Sequence, residues 1–282
     1  MKIFHAVNDA NIVPMFYDLT GRKLNILIAY NNLRGQARKL TIKYREAINL
    51  LYLDSGAFSV YKNKEDINVH EYLLYLQEYG DLFDAFFTLD DKFDDATHNL
   101  FQQINLETGL KGHRKLPIPV VHDETDPFKE FELYVEMGHN YIALGSMGEK
   151  KKIELKQIEK IMKKYPHIKM HMFGTLNREI LTKYRPYSAD AASWADHAKI
   201  GCIYYWDSDE KKEYSLYMGG RERTKEDHIH FKKFDKRDKV EDFFKKTFNY
   251  KYDDFRHSNP RYIVNLYFFT QLEGHLNSMK TK

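Results

Sequence analysis

The feature that most constrains the fold is a regular alternation of strand and helix patterns between about residue 50 and residue 190. Each short apolar run, typical of a buried strand, is followed by a longer stretch with helical periodicity. Such connections join parallel strands through right-handed crossovers. The predicted strands cover residues 2–7, 25–30, a run ending at Asp54, 84–90, 117–121, 140–144, 169–173 and 187–190. The predicted helices cover residues 69–79, 95–110, 127–137, 153–165 and 177–184.

Roughly eight strands in about 200 residues predict an α/β fold of the (β/α)8 TIM-barrel type rather than an open sheet. No G-x-G-x-x-G segment follows the first strand, which argues against a dinucleotide-binding fold. We expect the barrel to span residues 1–198. Residues 199–282 are predicted to form a basic and aromatic appendage, with a hairpin near 200–218 and a last helix over 263–272, that closes or flanks the barrel.

The composition excludes several classes of protein. The chain has one cysteine, Cys202, so a disulfide framework and a zinc site built from several cysteines are excluded. No pair of histidine and acidic residues has the spacing of metal ligands, so we predict neither a metal nor a cofactor. No apolar segment approaches the roughly 20 residues of a membrane span, and the first residues lack a signal-peptide pattern. These observations predict a soluble, cytoplasmic protein that does not bind a membrane.

Three aspartates, Asp54, Asp90 and Asp190, each follow a short apolar run. Because the carboxyl ends of barrel strands line the active site, we expect these acids to meet there. One carboxylate can attack a sugar carbon, a second can move the proton of a leaving group, and a third can accept hydrogen bonds from a base. The alternative for each acid is that it caps the helix that follows.

Other strand ends offer groups that could bind a ligand. Small residues at Gly145 and Ser146 would let a ligand approach backbone amides, although an ordinary turn has the same composition. Phe173 could offer a flat face to a ring, or simply pack in the core. The additional candidates, each with a structural role as its alternative, are Ser55, Phe58, His122, Met147 and His171.

Lysines cluster just after the glycine segment that begins at Gly145. A polynucleotide backbone bound at the mouth of the barrel would pass this point, whereas the alternative is a solvated helix face diluted by acids. The appendage is a second candidate surface for nucleic acid. The lysines proposed for nucleic-acid binding are Lys150, Lys151, Lys152, Lys156 and Lys160.

Five short segments follow one another in the order D-S-G-A-F-S (54–59), L-D-D (89–91), A-L-G-S-M-G (143–148), H-M-F-G (171–174) and S-A-D-A-A-S-W (188–194). In order and spacing they resemble the D-S-G-G-F-Q motif, the base-reading acid, the G-G-L-A loop, the L-M-G segment and the nucleophile segment of the guanine transglycosylases. That family exchanges guanine in a nucleic acid for a 7-deazaguanine base.

The resemblance implies a role for each acid. Asp190 would attack C1′ of the sugar and form a covalent intermediate with the nucleic acid. Asp54 would act as general acid and base on the departing and incoming bases. Asp90 would read the amino and ring N–H groups of the base.

The resemblance also implies a base pocket. Backbone amides near Gly145 and Ser146 would hold the carbonyl oxygen of the base, and Phe58 and Phe173 would sandwich its ring. His122 stands where the bacterial tRNA enzymes carry a base-contacting glutamine.

The departures from the family pattern concern metal and size. The bacterial tRNA enzymes hold a structural zinc with three cysteines and a histidine, so with Cys202 alone we expect no zinc subdomain. The compact chain looks more like phage-type relatives that modify DNA, which makes DNA the expected partner and tRNA the alternative. If the chain is phage-encoded, its compartment is the host cytoplasm. Two alternative functions stay open: a relative that binds a base or nucleic acid without exchange, and an N-glycosidase. A homodimer is also compatible with the sequence.

Overall fold

The computed structural model describes residues 1–32, 38–57, 67–92, 95–122, 126–145, 155–219 and 228–279. It divides into two compact units. The first contains Met1–Ala10 and Leu24–Ala191, and the second contains Asn11–Lys23 and Ala192–Lys282. Residues 11–23 thus belong with the C-terminal residues, although they lie between the first two strands in the sequence.

The first unit contains an eight-stranded sheet in which all strand pairs are parallel. Its strands are β1 (Lys2–Ala6), β2 (Leu24–Ala29), β3 (Ile48–Asp54), β4 (Ala85–Phe86), β5 (Val120–Val121), β6 (Tyr141–Leu144), β7 (Lys169–Met172) and β8 (Ser188–Ala191). The spatial order is β4-β3-β2-β1-β8-β7-β6-β5.

An isolated parallel bridge between Phe87 and Ile118 joins the two ends of this sheet. There Ile118 N donates to Phe86 O at 2.9 Å and Thr88 N donates to Ile118 O at 3.0 Å. Every strand therefore has a neighbour on both sides, which is the arrangement of a barrel. The predicted α/β, TIM-barrel type of fold is confirmed.

In the described part of the first unit, five helices connect the strands, and side-chain caps explain where several of them begin. They are α2 (Val69–Tyr79), α3 (Ala96–Gly109), α4 (Pro127–Glu136), α5 (Leu155–Lys164) and α6 (Arg178–Tyr184), with α1 (Ile12–Thr20) belonging to the second unit. Asn68 caps α2 and Asp95 caps α3 by accepting hydrogen bonds from backbone N–H groups of the first turn. Asp126 caps α4 in the same way, just before Pro127. Such caps satisfy N–H groups that have no partner within the helix.

The inside of the barrel is filled by side chains from several strands. The buried cluster includes Phe4, Tyr52, Phe87, Val120 and Ala143. The rings of Phe4 and Tyr52 stack with centroids 4.1 Å apart. The barrel is therefore a packed core, and a ligand can reach it only at an end.

The second unit combines helices with a three-stranded sheet. Besides α1 it contains α7 (Ser193–Lys199), β9 (Cys202–Asp207), β10 (Lys212–Tyr217), β11 (Ile229–His230), α8 (Arg237–Phe248) and α9 (Ser258–Ser278). Strands β9 and β10 form the predicted antiparallel hairpin. Helix α9 is longer than the predicted 263–272, because Pro260 lies in its first turn, where no N–H is needed.

One buried polar residue ties the elements of the second unit together. Asn265 of α9 accepts a hydrogen bond from Tyr204 N at 2.8 Å and donates to Trp194 O at 2.9 Å. Asn265 thereby satisfies backbone groups of both α7 and β9. Among the described residues, no helix has the length and apolar character needed to cross a membrane.

Candidate active site

The three predicted acids all lie at the carboxyl ends of barrel strands. Asp54 is the last residue of β3, Asp90 follows β4, and Asp190 lies in β8. His122 follows β5 directly. Strands that are distant in sequence thus bring these side chains to the end of the barrel where enzymes of this fold carry their active sites.

Asp54 has a strongly perturbed carboxyl group. Burial and, after it, the negative charges of Asp90 and Asp190 raise the pKa of Asp54 to about 8. A hydrogen bond from Gly56 N to Asp54 Oδ2 at 3.2 Å opposes the shift but does not cancel it. At neutral pH Asp54 is therefore mainly the protonated acid, beside two other carboxyl groups that are close enough for their charges to interact with it.

The residue that turns the chain after Asp54 has to be glycine. Gly56 has a φ of +81°, in the left-handed region that side chains with a Cβ rarely adopt. A Cβ built there would lie 2.4 Å from Asn31 Oδ1. This turn holds Asp54 and Ser55 at the barrel mouth, which explains the D-S-G sequence in structural terms.

Asp90 is buried and held through both of its oxygens. Ser55 Oγ donates to Asp90 Oδ1 at 2.8 Å, and His122 Nε2 lies 2.5 Å from Asp90 Oδ2. A carboxylate has about four lone-pair sites, so these two contacts leave acceptor capacity on each oxygen. Asp90 can therefore be fixed in place and still accept hydrogen bonds from a ligand.

His122 is held from three sides. Its ring contacts Asp90, its backbone N donates to Glu130 Oε2 at 2.9 Å, and it packs against Gly145. A Cβ at Gly145 would lie 2.2 Å from His122 Cε1, so glycine is required for the approach of this ring. Gly145 N itself donates to Val121 O at 2.9 Å as part of the sheet.

Asp190 accepts two hydrogen bonds at the same oxygen. Gly174 N donates to Asp190 Oδ1 at 3.2 Å, and His171 Nε2 lies 3.3 Å from that oxygen. On the other side of the ring, His171 Nδ1 lies 2.7 Å from Ser188 Oγ, which is 2.6 Å from the Tyr141 hydroxyl. This buried chain of contacts fixes the orientation of the His171 ring and, through it, of Asp190.

Phe173 lies next to these groups and is partly exposed. Its ring centroid is 4.6 Å from that of Phe87 and 4.5 Å from that of His171. One part of the ring therefore packs on the barrel core while the rest faces out of it.

The sequence analysis missed several residues of this site. Tyr72 of α2 is buried, and burial together with the charges of Asp54 and Asp90 raises its pKa. Glu130 has a sequence signal, because it is the acid on the otherwise apolar face of α4. Ser188 also has one, since it lies two residues before Asp190 and so points to the same side of β8. Tyr141 and Tyr72 carry no pattern that separates them from core tyrosines.

Some predicted site residues lie outside the part of the chain that the structure describes, namely Phe58, Ser146, Met147, Lys150, Lys151 and Lys152. Of the remaining lysines, Lys156 and Lys160 are exposed on α5. Lys160 Nζ lies 3.9 Å from the centroid of the Phe128 ring. On the same helix face Lys164 is paired with Glu132, so this face is less positive than its lysine content predicts.

Comparisons with known proteins bear on the fold. No protein-family model matches the chain. No curated protein matches it. Among solved structures, a protein of Coccidioides immitis described as a candidate fructose-1,6-biphosphate aldolase matches with a TM-score of 0.57 over 99% of this chain and 93% of its own. The two sequences are 10% identical, so the similarity extends to the barrel fold alone.

Proposed function

We propose that the protein is a guanine transglycosylase that exchanges guanine in DNA for a 7-deazaguanine base. The observation that carries the proposal is the pKa of Asp54, raised to about 8 beside Asp90 and Asp190. A protonated acid next to a carboxylate is the pair that substitution at a sugar carbon needs. The order of the five motifs supports the choice of base, and the choice of DNA rests on the resemblance to phage-type relatives.

The first half of the reaction breaks the bond between the guanine and C1′ of its sugar. Asp190 Oδ1 is held by Gly174 N and contacts His171, so in our proposal Oδ2 attacks C1′. As the C1′–N9 bond breaks, protonated Asp54 gives its proton to the departing guanine. The products are neutral guanine, ionised Asp54 and an ester between Asp190 and C1′.

The second half reverses these steps with the new base. Ionised Asp54 takes the N9 proton of the incoming 7-deazaguanine, whose nitrogen then attacks C1′. The ester breaks and Asp190 leaves as a carboxylate. Asp54 ends protonated again, so the cycle balances and no cofactor is consumed.

Asp90 would read the base through the lone pairs that Ser55 and His122 do not use. Phe173 would contact one face of the ring. The Gly145 N–H already donates to Val121 O. The backbone N–H that the resemblance assigns to the carbonyl oxygen of the base would therefore have to belong to a residue after Gly145. The base must leave the helix stack to reach such a site.

The test is base exchange with labelled guanine, run in parallel on duplex DNA, single-stranded DNA and tRNA. Two variants are compared with the wild type. Asp190→Asn removes the proposed nucleophile, and Asp209→Asn, at an exposed acid of the second unit, is the matched control. Label that enters DNA and is lost only in Asp190→Asn supports the proposal. Label that enters tRNA alone would support the exchange reaction with tRNA, and not DNA, as the substrate.

Two results would overturn the proposed exchange. Release of guanine without uptake of label would identify an N-glycosidase, in which water resolves the ester. Nucleic-acid binding without exchange, unchanged in Asp190→Asn, would identify a binding protein.

A further inference from the structure

A second polar cluster lies entirely within the second unit. His197 of α7, Cys202 of β9 and His228, just before β11, each direct a nitrogen or sulfur atom to one place. These three atoms lie within 4.8 Å of one another. The sequence predicted no metal site, because these residues are 5 and 26 positions apart and match no usual ligand spacing.

The sheet explains why these residues meet. In the antiparallel register, Cys202 pairs with Tyr217 and Tyr204 pairs with Ser215, so these residues share one face. The His197 ring stacks on Tyr204 with centroids 4.1 Å apart. His228 reaches the same face, where its Nδ1 is 2.6 Å from Ser215 Oγ.

We propose that His197, Cys202 and His228 bind one Zn²⁺ ion. Two imidazoles and a thiolate are donors that zinc prefers. Bond lengths of about 2.0–2.3 Å place tetrahedral ligand atoms about 3.3–3.6 Å apart, so small side-chain rotations from the observed positions complete the set. Ser215 Oγ contacts both histidine rings. On zinc binding it would either move away from the ion or share the fourth ligand position with water.

The cluster is shielded from solvent, because Cys202 is buried and both histidines are partly buried. Cys202 is 1% exposed, which protects the thiolate from oxidation once metal is bound. The ion would link α7, β9 and the start of β11, which is only a two-residue strand. Its role is therefore structural, and it does not depend on the proposed exchange reaction.

The experiment adds Zn²⁺ alone, and separately Co²⁺ as a spectroscopic probe, to the full chain after treatment with a chelator. We expect one equivalent of zinc to bind and the melting temperature to rise with zinc concentration. Cobalt should give a thiolate-to-metal charge-transfer band. Because Cys202 is the one cysteine of the chain, this band reports on that residue and no other.

The variants assign the ligands. Cys202→Ser should lose the charge-transfer band, and His228→Gln should weaken zinc binding at least 10-fold. The exposed His257→Gln, in the same unit, should change neither. Zinc that binds equally to Cys202→Ser and His228→Gln, or the absence of stoichiometric binding to the wild type, overturns the proposal.

A measurement on the wild type alone covers the case in which variants fail to fold. In mild denaturant, Zn²⁺ should slow alkylation of Cys202 at least 10-fold, and Mg²⁺ should not, because it disfavours sulfur ligands. An alkylation rate that zinc leaves unchanged also overturns the proposal.

Discussion

Asp54 of the barrel and Asp207 of the second unit are carboxyl groups with opposite pKa shifts. Burial and two neighbouring carboxyl groups raise the pKa of Asp54 to about 8. Hydrogen bonds from Lys236 and Lys239, at 2.8 and 3.0 Å, hold the pKa of Asp207 well below its usual range. The same side chain is thus mainly protonated at neutral pH in one unit and a fixed anion in the other.

The difference separates the acid that we propose for catalysis from an acid that stabilises the fold. Asp207 also accepts hydrogen bonds from the backbone N of Asp209 and Glu210, so it holds the turn between β9 and β10. In the part of the chain that the structure describes, the hydrogen-bond partners of Asp54, Asp90 and Asp190 are histidines, a serine and backbone amides rather than lysine or arginine. An unneutralised cluster of acids is costly for folding and is typical of active sites.

Replacing the proposed nucleophile should have the largest effect. In our proposal the charge of Asp190 attacks C1′, so we expect base exchange to fall at least about 10³-fold in Asp190→Asn. The covalent protein–DNA adduct, measured by intact mass under denaturing conditions, should disappear. Asp209→Asn, in the second unit, should keep both. An adduct that persists in Asp190→Asn would assign the nucleophile to another residue.

The second effect tests the raised pKa directly. Asp54→Asn keeps the shape but cannot transfer a proton, so exchange should fall about 10²–10⁴-fold. In the wild type, kcat/KM for the first half-reaction should decrease as pH rises through about 8, because Asp54 then loses the proton it must donate. The residual rate of Asp54→Asn should show no such decrease. A decrease that survives in the variant would belong to a different group.

The sequence predicts the barrel well because its signals are local. Caps such as Asn68 and Asp126, and apolar runs such as 140–144, fix where helices and strands lie. The three acids are predictable for the same reason, since each lies at the end of a predicted strand. The first helix, α1, was missed because residues 11–23 pack in the second unit, which no local pattern reveals.

The parts of the site that the sequence does not reveal depend on contacts between distant residues. The chain from Asp190 to Tyr141 joins residues on three strands, β6, β7 and β8. The pKa of Asp54 depends on two acids 36 and 136 positions away. The proposed zinc ligands, 5 and 26 positions apart, likewise meet only in the folded chain. These residues meet because of the register between neighbouring strands. The register cannot be read from the identities of the side chains alone.

A third prediction concerns a positioning residue. His171→Phe keeps an aromatic ring in the core but loses both polar contacts, so Asp190 should be less well oriented. We expect kcat to fall about 10–100-fold, the range for such supporting partners, with KM little changed. His171→Gln, which can donate to Asp190, should restore part of the rate. Equal losses of kcat in both variants, together with equal losses of stability, would mean that His171 is only a packing residue.

The smallest effects are on stability, and here the two aspartates should respond with opposite signs. Asp54 has a folded pKa of about 8, above the unfolded value of about 3.9. The folded state therefore keeps a proton that the unfolded state releases, and stability falls as pH rises from about 4 to 8. Asp54→Asn removes this cost and should raise the melting temperature at pH 7 by a few degrees, with little change at pH 4.

Asp207 has a folded pKa below the unfolded value, so its contribution is present above about pH 4 and is lost as pH falls further. Asp207→Asn should therefore lower the melting temperature at pH 7, and the difference from wild type should shrink on acidification. Lys236 and Lys239 are partly exposed, so salt should weaken the effect of Asp207→Asn. Melting curves of wild type and both variants between pH 3 and 9 check both signs. If Asp54→Asn also lowers the melting temperature at pH 7, then Asp54 is a structural acid like Asp207, and the proposed proton donor has to be sought among its neighbours.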